Sequence, residues 1–490
     1  MEKLPEECWE WILNRLAAND NDRELQCPSL TCKQFLSTSN RSRRKFSAFN
    51  KELYHNGCEA LYRAFKRFPN LEKLELYRPY DRAKPIGEVD IDIPIEMIAS
   101  SGLNIRSLAF YTLPKAPSPN SFRKLGSTMR NLKRLICYDI KSLADVHIVT
   151  IADELQWLEE LGIIFRNNGS NACPKRYPQL SDLVVTDAGI EVISSKLLGL
   201  RKIDLTGNHR CSDRSLIALS SNCVHLEGIQ YIGNSVTKDG IGFVLYHSPN
   251  LISLQAEYRL AVRNSSFSFE ASKICTNNLR ELDLCGHGFQ DPLLYCIVEA
   301  GIPLEKLTLR NDFDLSFNGL STLLCACPSL KYLHLRGIRF LDDDSIRNLC
   351  RYLGNVVSVK LLRCGTLSIV AYFILAKECH ALSEIKLDWS SSRSFDADYL
   401  LDMDLEIRNY SIGTLDLSCN QHLTDELLRR IAVTCPNLHT LDVRLCGLLT
   451  IEGILEILNH CLLIKHLMVP KHMKVLSETF ESRQIKVGYL

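Results

Sequence analysis

The sequence predicts an α/β solenoid, a right-handed horseshoe of stacked strand–helix units, preceded by a small all-helical head. Two observations predict it. A Leu-x-x-Leu-x-Leu phrase returns about every 26 residues over more than half of the chain. Between the returns lie segments with helical apolar spacing that often open on Thr or Ser followed by Asp.

The phrase is plain in Leu200-Arg-Lys-Ile203-Asp-Leu205, Leu304-Glu-Lys-Leu307-Thr-Leu309, Leu330-Lys-Tyr-Leu333-His-Leu335 and Leu438-His-Thr-Leu441-Asp-Val443. From Leu200 its phase runs through Leu226, Leu251, Leu279, Leu304, Leu330, Val356, Leu382, Ile412, Leu438 and Ile464. Steps of roughly 25 to 30 residues lie in the range of leucine-rich repeats. No single unit of that size can bury its apolar face, so neighbours must stack. Strand side chains alternate, which turns the second and third Leu-type residues inward and their neighbours toward the concave surface. Ser212-Asp213, Thr424-Asp425 and Thr237-Lys-Asp239 read as N-caps of the convex helices.

Four regions follow. Residues 1–50 lack the phrase and form the helical head. Glu6 to Leu16 places Trp9, Ile12, Leu13 and Leu16 on one helical face; a second helix starts near Asp22 and ends or kinks at Pro28. Thr31 to Phe46 supplies a third, whose basic end, Arg41 to Lys45, suits a helix C-terminus. Residues 51–190 hold degenerate repeats such as Leu71-Glu-Lys-Leu74-Glu-Leu76, interrupted by inserts at Arg78–Pro94 and Arg166–Asp182. Residues 191–470 are the regular array. Residues 471–490 form a C-terminal cap over the last repeat, which would otherwise expose its core face.

Composition narrows the function classes. The 490-residue chain is 46% apolar and 23% charged, as expected of a folded protein. A formal net charge of +1 argues against a nucleic-acid-coating role. No signal-peptide core opens the sequence, and its longest apolar run, about eight residues from Ile369 to Ala376, is far short of the roughly 20 that span a bilayer. A soluble cytoplasmic or nuclear protein without membrane partners is expected. The twenty cysteines follow the repeat rather than a disulfide plan. Cys223, Cys327, Cys379, Cys435 and Cys461 precede the next Leu phase, and Cys364, Cys419 and Cys446 follow the strand, both places that suit a small, buried, weakly polar side chain. No Cys-x-x-Cys pair or phosphate-cradling Gly loop occurs, and the histidines lack a fixed partner. No catalytic residue, metal or cofactor is expected.

The head resembles an F-box. Leu4-Pro5-Glu6-Glu7 opens the first helix, Ile12 and Leu16 lie on its apolar face, and Asp22-Arg23 opens the second. Ser29-Leu30-Thr31-Cys32-Lys33-Gln34-Phe35 is similar to the family's Ser-Leu-Val-Cys-Lys-x-Trp/Phe signature, and Arg43-Arg44-Lys45 follows where plant-type members carry basic residues. The array resembles the cysteine-containing leucine-rich repeats of F-box proteins, most closely from Cys435-Pro-Asn-Leu438 to Leu445-Cys446-Gly-Leu-Leu449-Thr450.

These resemblances imply a non-catalytic substrate receptor of a Skp–cullin–F-box ubiquitin ligase. Its head would dock on a Skp-like adaptor beside the cullin scaffold, and its horseshoe would hold an unknown protein substrate. The expected adaptor contacts are Leu4, Pro5, Ile12, Leu16, Leu30, Cys32 and Phe35, which equally suit the core of a small helical domain. The expected target contacts are Lys306, Arg310, Tyr332, His334, Arg336, Lys360, Arg363 and Trp389, read as outward positions on neighbouring strands. Arg and aromatic side chains there suit an acidic or phosphorylated segment, though an ordinary solvated surface has the same residues. Two other readings stand: a repeat scaffold or inhibitor that binds no adaptor, and a small-molecule-assisted receptor resembling plant hormone co-receptors.

Overall fold

The computed structural model describes residues 5–17, 25–48, 59–77, 91–113, 115–166, 185–258, 270–286, 291–310, 315–388 and 407–489. The chain forms two compact units, Met1–Asn250 and Leu251–Leu490. Each alternates strands with helices in a leucine-rich-repeat manner.

The first unit opens with the head helices α1 (Glu6–Ala17), α2 (Gln26–Ser29) and α3 (Lys33–Ser42). Its strands are β1 (Lys45–Ala48), β2 (Lys73–Tyr77), β3 (Ser107–Tyr111), β4 (Arg134–Tyr138), β5 (Glu160–Ile164), β6 (Lys202–Asp204) and β7 (Gly228–Val236), each parallel to the next. The second unit continues with β8 (Ser253–Tyr258), β9 (Glu281–Gly286), β10 (Lys306–Arg310), β11 (Tyr332–Arg336), β12 (Ser358–Leu362), β13 (Glu384–Asp388), β14 (Thr414–Asp416), β15 (Thr440–Asp442), β16 (His466–Val469) and β17 (Lys486–Tyr489), again parallel in sequence order.

The register explains the repeat phrase. Leu307 pairs with Leu333, Leu333 with Val359, Val359 with Ile385 and Ile385 with Leu415, and all are buried. Leu309, Leu335, Leu361 and Leu387 make a second buried ladder one pleat on. Each such side chain contributes about 2 kcal/mol of burial, but only when the neighbouring rung covers it.

Helices such as Asp213–Asn222, Lys238–His247, Asp425–Thr434 and Ile451–His460 back the strands. The predicted caps form: Ser212, Thr237 and Thr424 accept from backbone N–H groups of their own first turns. Cys223, Cys327, Cys379, Cys435 and Cys461 are the residues that close the helices, and all five are buried. The Cys223 thiol points back one repeat toward the Ser194 and Leu197 carbonyls, each 3.8 Å away, and Cys461 reaches the Cys435 carbonyl at 3.4 Å. The apolar run Ile369–Ala376 is a helix buried on all sides, not a lipid-facing one. Among the described residues no helix is long and apolar enough to cross a membrane.

Three local readings are corrected. The third head helix stops at Ser42 rather than Phe46, because Arg43 turns extended and Lys45–Ala48 joins the sheet beside β2. Ala48 is fully buried there and Phe46 packs 6.0 Å from Phe68, so the alternation of a strand wins over the helix pattern. Cys419 is exposed; Asn420 takes the buried place after the strand and donates to the Leu387 and Leu417 carbonyls at 2.9 and 2.7 Å. Residues 91–94 of the first insert belong to structure: Asp92–Ser100 is helical, while the rest of that insert lies outside the described residues. The start of the second helix near Asp22 and residues 167–182 of the second insert lie outside them too. At the C-terminus β17 pairs with β16, and Met473 and Phe480 are buried beneath it.

Candidate functional site

The head's helices meet chiefly between α1 and α3 and between α2 and α3 among the described residues. On α1, Leu13 faces inward at 3% exposure, and Trp9 meets Phe35 of α3 edge to face at 4.7 Å. Glu10 binds Arg41 at 2.9 Å across the same pair of helices. The Cys32 thiol caps α3, accepting from the Phe35 N–H at 3.4 Å.

Of the residues expected at an adaptor, Leu30 is 85% exposed, and Pro5 and Cys32 are also exposed. Ile12, Leu16 and Phe35 are half-buried, so part of each belongs to the head's own packing. Leu4 lies outside the described residues. Sequence periodicity missed Trp11, which is 63% exposed with the Arg15 guanidinium 5.3 Å from its ring. Its signal was a tryptophan off the apolar face of α1. Leu30, at the end of α2, and Trp11, on α1, are thus two exposed apolar side chains of the head.

The second candidate surface is the open face of β10–β13. Tyr332, His334 and Arg336 of β11 align with Lys306, Thr308 and Arg310 of β10 and with Ser358, Lys360 and Leu362 of β12. Leu362, not Arg363, holds the last rung of β12. Arg363 lies one residue beyond with φ 49°, a left-handed turn that takes it off the strand, and its side chain is exposed. Trp389 lies outside the described residues.

Most cations of this face already hold carboxylates. Arg310 grips Asp283 with two guanidinium nitrogens at 3.1 and 2.8 Å. Lys360 binds Glu384 at 2.8 Å, Lys306 lies 3.7 Å from Glu281, and Lys386 pairs with Asp416. Ser358 donates to Glu384 at 2.6 Å and is itself buried, as is Thr308. Tyr332 stands 48% exposed at the edge. Between these pairs the His334 Nε2 is shut from solvent and has no hydrogen-bond partner. Burial, and then the positive charges of Arg310, Lys360, Arg336 and Lys386, hold its pKa down at about 4. The ring is therefore neutral at physiological pH.

The first unit carries a different surface. Tyr77, Tyr111 and Tyr138 occupy one register position on β2, β3 and β4. The first two rings stack at 4.4 Å and the third tilts at 5.7 Å. The Tyr77 hydroxyl donates to Glu75 at 3.2 Å, and Ser47 and Lys45 hold the same carboxylate at 2.7 and 2.8 Å. Burial pushes the Glu75 carboxyl up, but these bonds outweigh it and the net shift is down. The tyrosine ladder was not anticipated, because each ring comes from a different degenerate repeat.

Among the described residues no group of three or more His, Cys, Asp or Glu side chains could hold a metal ion. His209, His225, His334 and His466 sit on separate repeats, and His287 lies outside the described residues. No family model matches the chain. Among solved structures it is similar to a chain of the yeast Rad7–Elc1 complex, at 19% identity and a TM-score of 0.45. The match covers 68% of this chain and 85% of that one. So loose a likeness carries no functional argument.

Proposed function

We propose that this chain is the substrate-recognition subunit of a Skp–cullin–F-box ubiquitin ligase. The head docks on a Skp-like adaptor, the repeats hold the target, and ubiquitin transfer is catalysed by other subunits. The observation that carries the reading is the exposure of two apolar side chains on the head. Leu30 at 85% exposure and Trp11 at 63% are displayed rather than packed, within a segment that resembles an F-box. Hiding two such side chains against a partner is worth about 2 kcal/mol each, a share of the binding free energy to which the other expected contacts add. A cytoplasmic or nuclear location follows from the same reading.

Affinity purification of the full chain, wild type against Trp11→Glu/Leu30→Asp, tests it. Both residues are exposed, so the substitutions leave the repeats folded. A Skp-like adaptor and a cullin among the proteins lost with the double variant support the reading. Identical co-purifying sets contradict it.

A further inference from the structure

The open face of β10–β13 has one guanidinium that its ion-pair network leaves over. Lys306, Arg310, Lys360 and Lys386 each reach a carboxylate on a neighbouring strand. Arg336 does not: among the described residues it has no salt-bridge or hydrogen-bond partner. The acid at its own register position is Asp388, two strand spacings away through Leu362, roughly 10 Å by backbone. Burial pushes the Asp388 carboxyl up and the charges of Arg363, Lys386 and Arg336 pull it back, but Arg336 makes no hydrogen bond to it. Two residues before it on the same strand, the His334 Nε2 also lacks a partner. The four charges bearing most strongly on that ring, Arg310, Lys360, Arg336 and Lys386, are cations, and three of them hold carboxylates.

We propose that Arg336 anchors an oxyanion carried by an extended segment of the target protein, with the exposed Tyr332 ring as its apolar neighbour. This rests on reading the chain as a target receptor. A guanidinium can take a carboxylate or phosphate through two parallel hydrogen bonds. The same face bears Glu281, Asp283, Glu384 and Asp416, which repel a run of negative charge. A segment with one or two anionic groups fits, and a nucleic-acid polyanion does not. A side-chain carboxylate and a phosphate monoester offer the same oxygens, so the test separates them.

The full chain is presented with bead-displayed random nine-residue peptides whose central residue is Glu, phosphoserine or Gln. Wild type, Arg336→Gln and Lys377→Gln are compared; Lys377 is an exposed cation on the helix Ile369–Glu378 and serves as the charge control. Wild type and Lys377→Gln are expected to retain one anionic library about tenfold over the Gln library, and Arg336→Gln to lose that preference. Whichever anionic library is retained names the oxyanion. Absence of retention, no anionic preference, a preference that survives Arg336→Gln, or stronger retention of random single-stranded DNA overturns the proposal. Adaptor capture by Arg336→Gln separates the two readings. Lost bead preference in the wild type with capture intact rejects only the anchor, whereas bead preference without any adaptor capture rejects only the ligase assignment.

Discussion

Asp425 accepts two hydrogen bonds from Thr450 of the next repeat, 2.9 Å from its backbone N–H and 2.6 Å from its hydroxyl. The same joint ties Asp145 to Thr186, Asp187 to Ser212 and Asp213 to Thr237 in the first unit. In the second it also ties Asp291 to Ser316 and Asp343 to Ser368. The helices Asp187–Lys196, Asp213–Asn222 and Asp425–Thr434 thus start with a capping hydroxyl for themselves and a carboxylate for the next. The Thr/Ser-Asp pairs visible in the sequence therefore do two jobs, of which only the cap is local.

The joint accounts for Gly453. A Cβ at this position would stand 2.1 Å from the Asp425 carboxylate, although Gly453 lies inside a helix where Ala is ordinarily favoured by about 1 kcal/mol. Gly453→Ala is expected to lower stability by about 1–3 kcal/mol in urea unfolding. Adding Asp425→Ala should recover part of that loss, because the clashing group is gone. A stabilising Gly453→Ala would refute the close approach.

Thiol chemistry should divide the cysteines by burial. Burial pushes Cys223, Cys435 and Cys446 up to about 12 and Cys461 up to about 11. Their thiolates are scarce near neutral pH, and reaction proceeds through the thiolate. Native protein treated with iodoacetamide at pH 8 should be labelled at exposed Cys419 and Cys325 well before these four, read by peptide mapping. Denaturation without reductant should level the rates. Early labelling of Cys446 would contradict its packed position.

Strands, ladders and caps were legible because each is written in local spacing. The Leu phases predicted the paired rungs, and the cysteines before each phase proved to be helix ends. What the sequence hid was either a turn or a distant partner. Nothing in Arg363 signals a left-handed backbone, and the neighbouring Cys419 and Asn420 exchange places by a single residue. The sequence already reads this face as mixed in sign, with Asp283 and Asp416 beside its cations, but the pairing of Arg310 with Asp283 of the preceding repeat is not written in any local spacing. Leu30 was named for the head, whereas Trp11 escaped because its position breaks the helical apolar period.

His334 offers a direct electrostatic readout. Its lowered pKa means that the unfolded chain binds a proton at about pH 6.5 and the folded chain only near 4. This contribution to stability is complete above pH 6.5 and is lost as pH falls through the window down to about 4. Imidazole carbon shifts in NMR should show His334 neutral at pH 5.5. Arg336→Gln should raise its pKa by removing one of the four cations. A His334 that titrates near 6.5 in the wild type would contradict its half-buried place among these cations.

The account rests most on the head, and the most direct measurement is binding of the purified full chain to a purified Skp-like adaptor by calorimetry. A one-to-one complex with Kd below about 1 μM is expected, weakened roughly 30-fold or more by Trp11→Glu/Leu30→Asp, a loss of about 2 kcal/mol. No heat of binding at tens of micromolar, or an affinity that the double variant leaves unchanged, would contradict it.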